Sequence, residues 1–396
     1  MSMRDKMDPV YAELEAPDFG GYEAFRSRTD IDFFGWADPY FPDPFMPESV
    51  KRGILKSLDT NASHYTLPVG DLKMREAVAE RVRKLNGITV DPNKNIVITS
   101  GSDISFNYAM RPFLIPGQNE EVLMATPSYA GNFTAPGLMG GVAVPVPTYA
   151  EDGYDLRIEE FEKRLTPKTK IVAITNPNNP TTTVYGKETL LKLADFIIRN
   201  DLILFIDQCF EDSVFDGHEM FQIINVPGMF ERTILVSSFS KGMGLCGLRL
   251  AYIVAHEEIM GVLQACAVNY VGAPNTMVQY GIMEALKEPD FMEELRKEFQ
   301  KRGSECCRLL SGIPGIYCHK PEAGFFLWLE TDGLGTSDEI CGYLLNTAKV
   351  AVSSGNMFGP LGAHGIRIII GAKKDYEECI AVVKRIREAL LNYPIK

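Results

Sequence analysis

The segment SSFSKGMGLCGLR, residues 237–249, sets one lysine and one arginine eight positions apart among serines and glycines. Apolar runs precede and follow it, so Lys241 lies between buried-looking strands. A lysine shielded from water gives up its proton more readily, and the free amine attacks carbonyls. The competing reading is a solvated lysine on a surface loop, where most lysines lie. Arg249 and Ser238 could together hold a phosphate, the arginine through paired N–H donors. A lysine beside a phosphate cradle points to pyridoxal phosphate. Gly101, Ser102 and Asp103, in ITSGSDISF, sit between a strand and a helix, where backbone N–H groups and the positive helix end attract phosphate. Arg367, in HGIRIIIG, is a charge inside an apolar strand. Such a charge is costly unless it meets an anion, either a ligand or a structural ion-pair partner.

The elements that must carry these residues are legible from residue 95 onward. Short β-branched runs at 96–99, 122–125, 142–146, 170–175, 202–207, 233–237 and 250–254 alternate with helical stretches such as 188–200. That alternation predicts an α/β domain with a mostly parallel sheet covered by helices on both faces. Beyond about residue 275 the pattern changes to a long helical run over 276–310, broken near Pro289. A strand at 325–329, a helix at 336–347, short strands at 350–352 and 366–370, and a closing helix from Asp375 follow. The expected fold is therefore α/β: a large domain at 49–285 and a smaller α+β domain at 286–396. The small domain is completed by an N-terminal arm over 1–48, rich in proline, aspartate and aromatics.

The chain has 396 residues, of which 45% are hydrophobic and 23% charged, which excludes wholesale disorder and fibrous repeats. Forty Lys+Arg against 52 Asp+Glu give a net charge of -12, which argues against a nucleic acid partner. No run approaches 18 apolar residues, so no membrane helix is expected. The polar N-terminus is not expected to be a secretory signal. Eight scattered cysteines without a C-x-x-C pair predict no metal site and a reduced, cytoplasmic setting.

With these residues in view, the sequence resembles the fold-type I pyridoxal-phosphate enzymes, specifically the class I/II aminotransferases of the aspartate aminotransferase family. The family's lysine motif matches Ser238, Lys241, Gly247 and Arg249 with the lysine-to-arginine spacing preserved, and the likeness runs over about residues 30 to 390. The resemblance implies that Lys241 binds the cofactor covalently and moves the proton at the substrate Cα. It implies that Asp207, after an apolar strand, pairs with the pyridinium nitrogen; a strand-terminal cap is the plainer alternative. Asn179, in NPNNPT, would donate to the cofactor's phenolic oxygen and help bind substrate, although the same segment reads as a Pro/Asn turn. Gly101, Ser102, Asp103, Ser238 and Arg249 would hold the phosphate. Tyr129, in ATPSYAGNF, would stack on the pyridine ring; its alternative is a core tyrosine. Tyr65, in HYTLPVG, would reach the phosphate of a partner subunit, which implies a homodimer with shared sites. Arg367 would grip the substrate carboxylate. Gly35, in FFGWADP, would close over it, and Tyr22, Phe33, Phe34 and Trp36 of the arm leave room for an apolar or aromatic donor.

The sequence departs from the family at four places: Ser354-Gly355 stands where a Pro-Gly usually precedes the arginine, Ile369 replaces a polar residue two beyond Arg367, and the other two are Phe210 and Thr182. The tyrosine expected three residues after Asp207 is Phe210, and the glycine expected after NPNNPT's proline-threonine is Thr182. Without the tyrosine hydroxyl, the cofactor's phenolate loses a donor, so the lysine-linked cofactor should hold its proton to higher pH. The resemblance thus implies an L-amino acid aminotransferase working by a ping-pong route. A lyase, racemase or other non-transaminating enzyme on the same fold is the alternative.

Overall fold

The computed structural model describes residues 2–15 and 19–394. In chain order its strands are β1 (Asp32–Phe33), β2 (Ile96–Thr99), β3 (Glu121–Thr126), β4 (Val142–Pro147), β5 (Thr169–Thr175), β6 (Ile203–Asp207), β7 (Thr233–Ser238), β8 (Ala251–Ala255), β9 (Tyr317–Cys318), β10 (Phe326–Glu330), β11 (Val350–Ala351), β12 (Ser353–Ser354) and β13 (Gly365–Ile369). The seven strands β2 to β8 form one sheet in the order β2-β8-β7-β6-β5-β3-β4. Neighbours from β7 through β4 pair in parallel, and β8 runs antiparallel to both β7 and β2. The central strands β5 to β8 are almost wholly buried. They can therefore be continuous apolar runs, because two separate hydrophobic clusters cover the two faces of the sheet.

The helix Lys187–Arg199 shows why the cover forms. Leu190, Leu193, Ala194, Phe196 and Ile197 recur at helical spacing and all face the core. The sequence pattern placed this helix and every central strand within one or two residues. It did not announce helices Glu48–Ser57 and Leu72–Leu85, which precede the sheet.

A second, antiparallel sheet of order β12-β13-β10-β9 packs against helices Asp290–Leu310 and Tyr376–Leu391 around its own apolar cluster. The helical break near Pro289 is real: one helix ends at Ala285 and the next begins at Asp290. The arm is more ordered than its composition implied. It carries helices Pro9–Ala12 and Phe19–Arg26, and β1 pairs in parallel with β11. The Asp32 carboxylate joins Lys373 and Arg385, and Phe34 is fully buried. The side chain of Tyr22 lies outside the described residues.

Candidate active site

In open parallel sheets, ligands meet the carboxyl ends of the strands. Here β2, β3, β5, β6 and β7 all end at one edge, and the residues at or beyond their ends are Gly101, Tyr129, Asn179, Asp207 and Ser238, with Lys241 three positions on. The reversed direction of β8 brings its entry, and hence Arg249, to that same edge. The topology thus gathers residues that lie between positions 101 and 249 of the sequence.

The Lys241 amine donates to the carbonyl of Ala37 at 2.6 Å and lies 3.5 Å from the Cys246 sulfur. Asp207 is 5% exposed, and burial pushes its carboxyl up to about 6, although the Cys209 N–H that it accepts at 2.9 Å works in the opposite direction. Burial raises the Cys209 thiol, and the neighbouring Asp207 carboxylate raises it further. Gly101 caps the helix Ser102–Met110 with φ of 103°. That backbone suits glycine, and any larger side chain would collide with the guanidinium of Arg249. Arg249 donates to the Cys246 carbonyl at 3.0 Å and to Asp103 at 3.3 Å, while Asp103 accepts from the Tyr129 hydroxyl at 2.9 Å. Asp103, singled out for its backbone N–H, therefore also sets a carboxylate between Arg249 and Tyr129. Burial and this carboxylate raise the Tyr129 phenol.

Arg367 comes from the other sheet. Its side chain is buried and donates to Asn179 Oδ1 at 2.8 Å, to the Gly35 carbonyl at 3.1 Å and to Ser353 Oγ at 3.3 Å. Its carbon centre lies 4.7 Å from the Phe358 ring. All of these partners are neutral, Nε has none, and burial pulls the guanidinium down to about 10. No acidic side chain pairs with it among the described residues, so the structural ion pair is not what stabilises this charge. The arm links the two halves of the site: Gly35 accepts from Arg367, and Ala37, two residues on, accepts from Lys241. Neither Ala37 nor Ser353 was legible in the sequence. A backbone acceptor carries no side-chain signal, and Ser353 reaches Arg367 only through the β12–β13 pairing.

The structure does not bring Tyr65 to these residues; its ring is 94% exposed. Phe210 is buried against Phe326 and Phe325, with ring centroids 5.1 and 5.7 Å away. Thr182 keeps the left-handed backbone of the glycine it replaces, with φ of 66°. A β-branched residue in that region is strained by roughly 1–3 kcal/mol. Its hydroxyl accepts the Glu322 N–H at 3.3 Å, a tie to the small domain that glycine cannot make.

The sequence pattern described as aminotransferase class I and II matches residues 37–386. An aromatic-amino-acid aminotransferase of Thermococcus litoralis is 34% identical over 88% of this chain and 90% of its own. An aspartate aminotransferase of Pyrococcus abyssi is also 34% identical, over 98% of each. The crystal structure of an aromatic aminotransferase from Pyrococcus horikoshii superposes with a TM-score of 0.86 at 33% identity, covering 94% of this chain and 98% of that one. The chain belongs to the class I and II aminotransferases, and it is an enzyme that transaminates amino acids.

Proposed function

We propose that this enzyme uses pyridoxal phosphate bound by Lys241 to move the amino group of an L-amino acid to a 2-oxo acid. The observation that carries the reading is Arg367. A buried guanidinium with only neutral partners and an orphaned Nε matches the α-carboxylate of an amino acid, whose two oxygens would satisfy it bidentately. The site's own groups fit the cofactor. The helix end at Gly101–Ser102 with Arg249 would offer donors to a phosphate, Asp207 a buried carboxyl to a ring nitrogen, Asn179 an amide donor to the phenolic oxygen, and Tyr129 a flat face.

Bound there, the cofactor supplies the electron sink that makes the substrate Cα–H acidic. Lys241 then holds and moves the Cα proton, while Arg367, Asn179 and Gly35 fix the carboxylate so that this bond faces the amine. Phe358 and Phe326, whose rings lie 4.7 and 5.7 Å from the Arg367 guanidinium carbon, help to keep water from it. The donor leaves as a 2-oxo acid before the acceptor binds. The names of its relatives, which act on aromatic amino acids or aspartate, frame the donors to be tried first. Borohydride reduction of the loaded enzyme should label Lys241, and Lys241→Ala should carry no label; a mark on another lysine overturns the assignment.

The same reading divides the chain into arm, large and small domains near residues 48 and 285, and places it as a cytoplasmic homodimer. Tyr65, 94% exposed, is free to reach a neighbouring chain, as the family resemblance implies. Sedimentation should show two chains, and Tyr65→Phe should weaken cofactor binding about tenfold, the worth of one hydrogen bond. An active monomer, or an unchanged affinity, contradicts it.

Phe210 predicts a spectral property. One hydrogen bond to a charged oxygen is worth about 1.5–3 kcal/mol, and each pH unit about 1.36 kcal/mol. The lysine-linked cofactor should stay protonated and yellow to a pH about one to two units above that of Phe210→Tyr. Titrations that coincide mean that another donor stands in for the missing hydroxyl.

A further inference from the structure

Behind the site lies a buried polar assembly that none of the roles above uses. Arg81, on helix Leu72–Leu85, is 6% exposed and meets two carboxylates, Asp212 at 2.7 Å and Glu211 at 3.1 Å. It also donates to the Tyr252 hydroxyl at 3.1 Å, and Tyr252 and Ser237 both donate to Glu211, at 2.8 and 2.7 Å. Asn86 reaches Gln208 at 2.9 Å and Glu211 at 3.2 Å.

These contacts converge on both ends of the chemistry. Gln208, Glu211 and Asp212 lie in the turn that leaves Asp207, and Ser237 is the second-last residue of the strand that leads to Lys241. Asp212 is also wedged against Gly242, the residue after Lys241, so tightly that no side chain fits there.

We infer that Arg81 is a positioning residue: by holding Glu211 and Asp212 it fixes the turn after Asp207 against the turn that carries Lys241. Two buried carboxylates without their cation would repel one another and push the two turns apart. A displacement of about 1 Å at reacting groups costs on the order of 100-fold in rate. Substrate capture belongs to Arg367 on the other sheet, so Arg81 affects the proton transfer and not the grip on substrate.

The inference rests on Lys241 carrying the cofactor. Borohydride label on wild-type Lys241 checks that reading separately: its absence overturns both, whereas label together with unaltered variants overturns only the role of Arg81. For Arg81→Met, activity is counted per cofactor-loaded site, which removes any loss from misfolding. There kcat should fall about 10- to 100-fold with KM within twofold, and the isotope effect with α-deuterated donor should rise. Arg81→Lys should recover part of the rate.

A second readout needs no turnover. Asp207 and Cys246 both feel the charge of the Lys241 amine, Asp38 stands beside Cys246, and Asp212 lies against Gly242, the next residue. Removing the Arg81 cation leaves more negative charge beside a protonated nitrogen, so the midpoint of the visible cofactor band should move to higher pH. Asp212→Asn, which removes a carboxylate and stays informative if Arg81→Met fails to fold, should move it to lower pH. Shifts in one direction, or kcat, isotope effect and band all unchanged per loaded site, would overturn the inference.

Discussion

Asp207→Asn is expected to cut kcat by two to four orders of magnitude while making the cofactor-free protein more stable at neutral pH. The first effect follows from breaking a buried ion pair with the ring nitrogen, worth about 3–5 kcal/mol, at 1.36 kcal/mol per tenfold. The second follows from Asp207's own carboxyl, which folding raises from 3.8 to about 6 by burial. Between those values the folded chain binds more protons than the unfolded chain, so stability falls as pH rises through that window and the loss persists above it. Two pH units correspond to about 3 kcal/mol. Asparagine can still accept the Cys209 N–H but carries no charge to desolvate. Thermal melts of the cofactor-free proteins should therefore coincide near pH 4 and separate above pH 6, with the variant higher. With cofactor bound, a cationic N–H stands opposite the carboxylate and the order should reverse. A wild type that melts higher at every pH would show that the carboxylate is already compensated inside the chain.

Arg367→Met is expected to lower kcat/KM for amino acids by roughly 10²–10⁴. Two charge-assisted hydrogen bonds of about 1.5–3 kcal/mol each set that range, and the guanidinium's buried position leaves water unable to replace them. The loss should be confined to substrates that carry the carboxylate. Turnover of the corresponding amine, which lacks it, should be equally slow in both proteins, so the ratio of the two substrates is the deciding quantity. An equal loss for both would mean that Arg367 stabilises the domain and does not hold the substrate.

The two predictions depend on burial in opposite ways. Asp207 and Arg367 are desolvated groups of opposite charge carried on two different sheets. Neither is neutralised by the other. At the site itself the groups that bridge the two sheets are neutral: Asn179, Ser353 and the carbonyls of Gly35 and Ala37. Closing ligands of complementary charge between them offsets both costs together, which is a physical basis for coupling substrate capture to the domain interface.

The sequence by itself determined the sheet and the nature of the chemistry. Strands such as Thr233–Ser238 and Ile203–Asp207 are short, apolar and bounded by turn residues, so local pattern suffices to place them. The lysine, the aspartate and the two arginines are chemically conspicuous because each is a charge next to an apolar run. Tertiary structure alone decided what those charges face. The pairing of β1 with β11, together with bonds from Ile369 and Ser353 to Phe34 and Gly35, brings the arm's carbonyls to Lys241 and Arg367, and backbone oxygens leave no trace in residue identity. Only the reversal of β8 puts Arg249 at the same edge as Gly101. The Arg81 assembly was equally invisible, because its partners come from residues 81 to 252 and each, taken singly, reads as an ordinary helix or loop residue. Thr182 shows the limit from the other side. Its type argues against a left-handed turn, yet the fold holds it there through long-range contacts that no local propensity records.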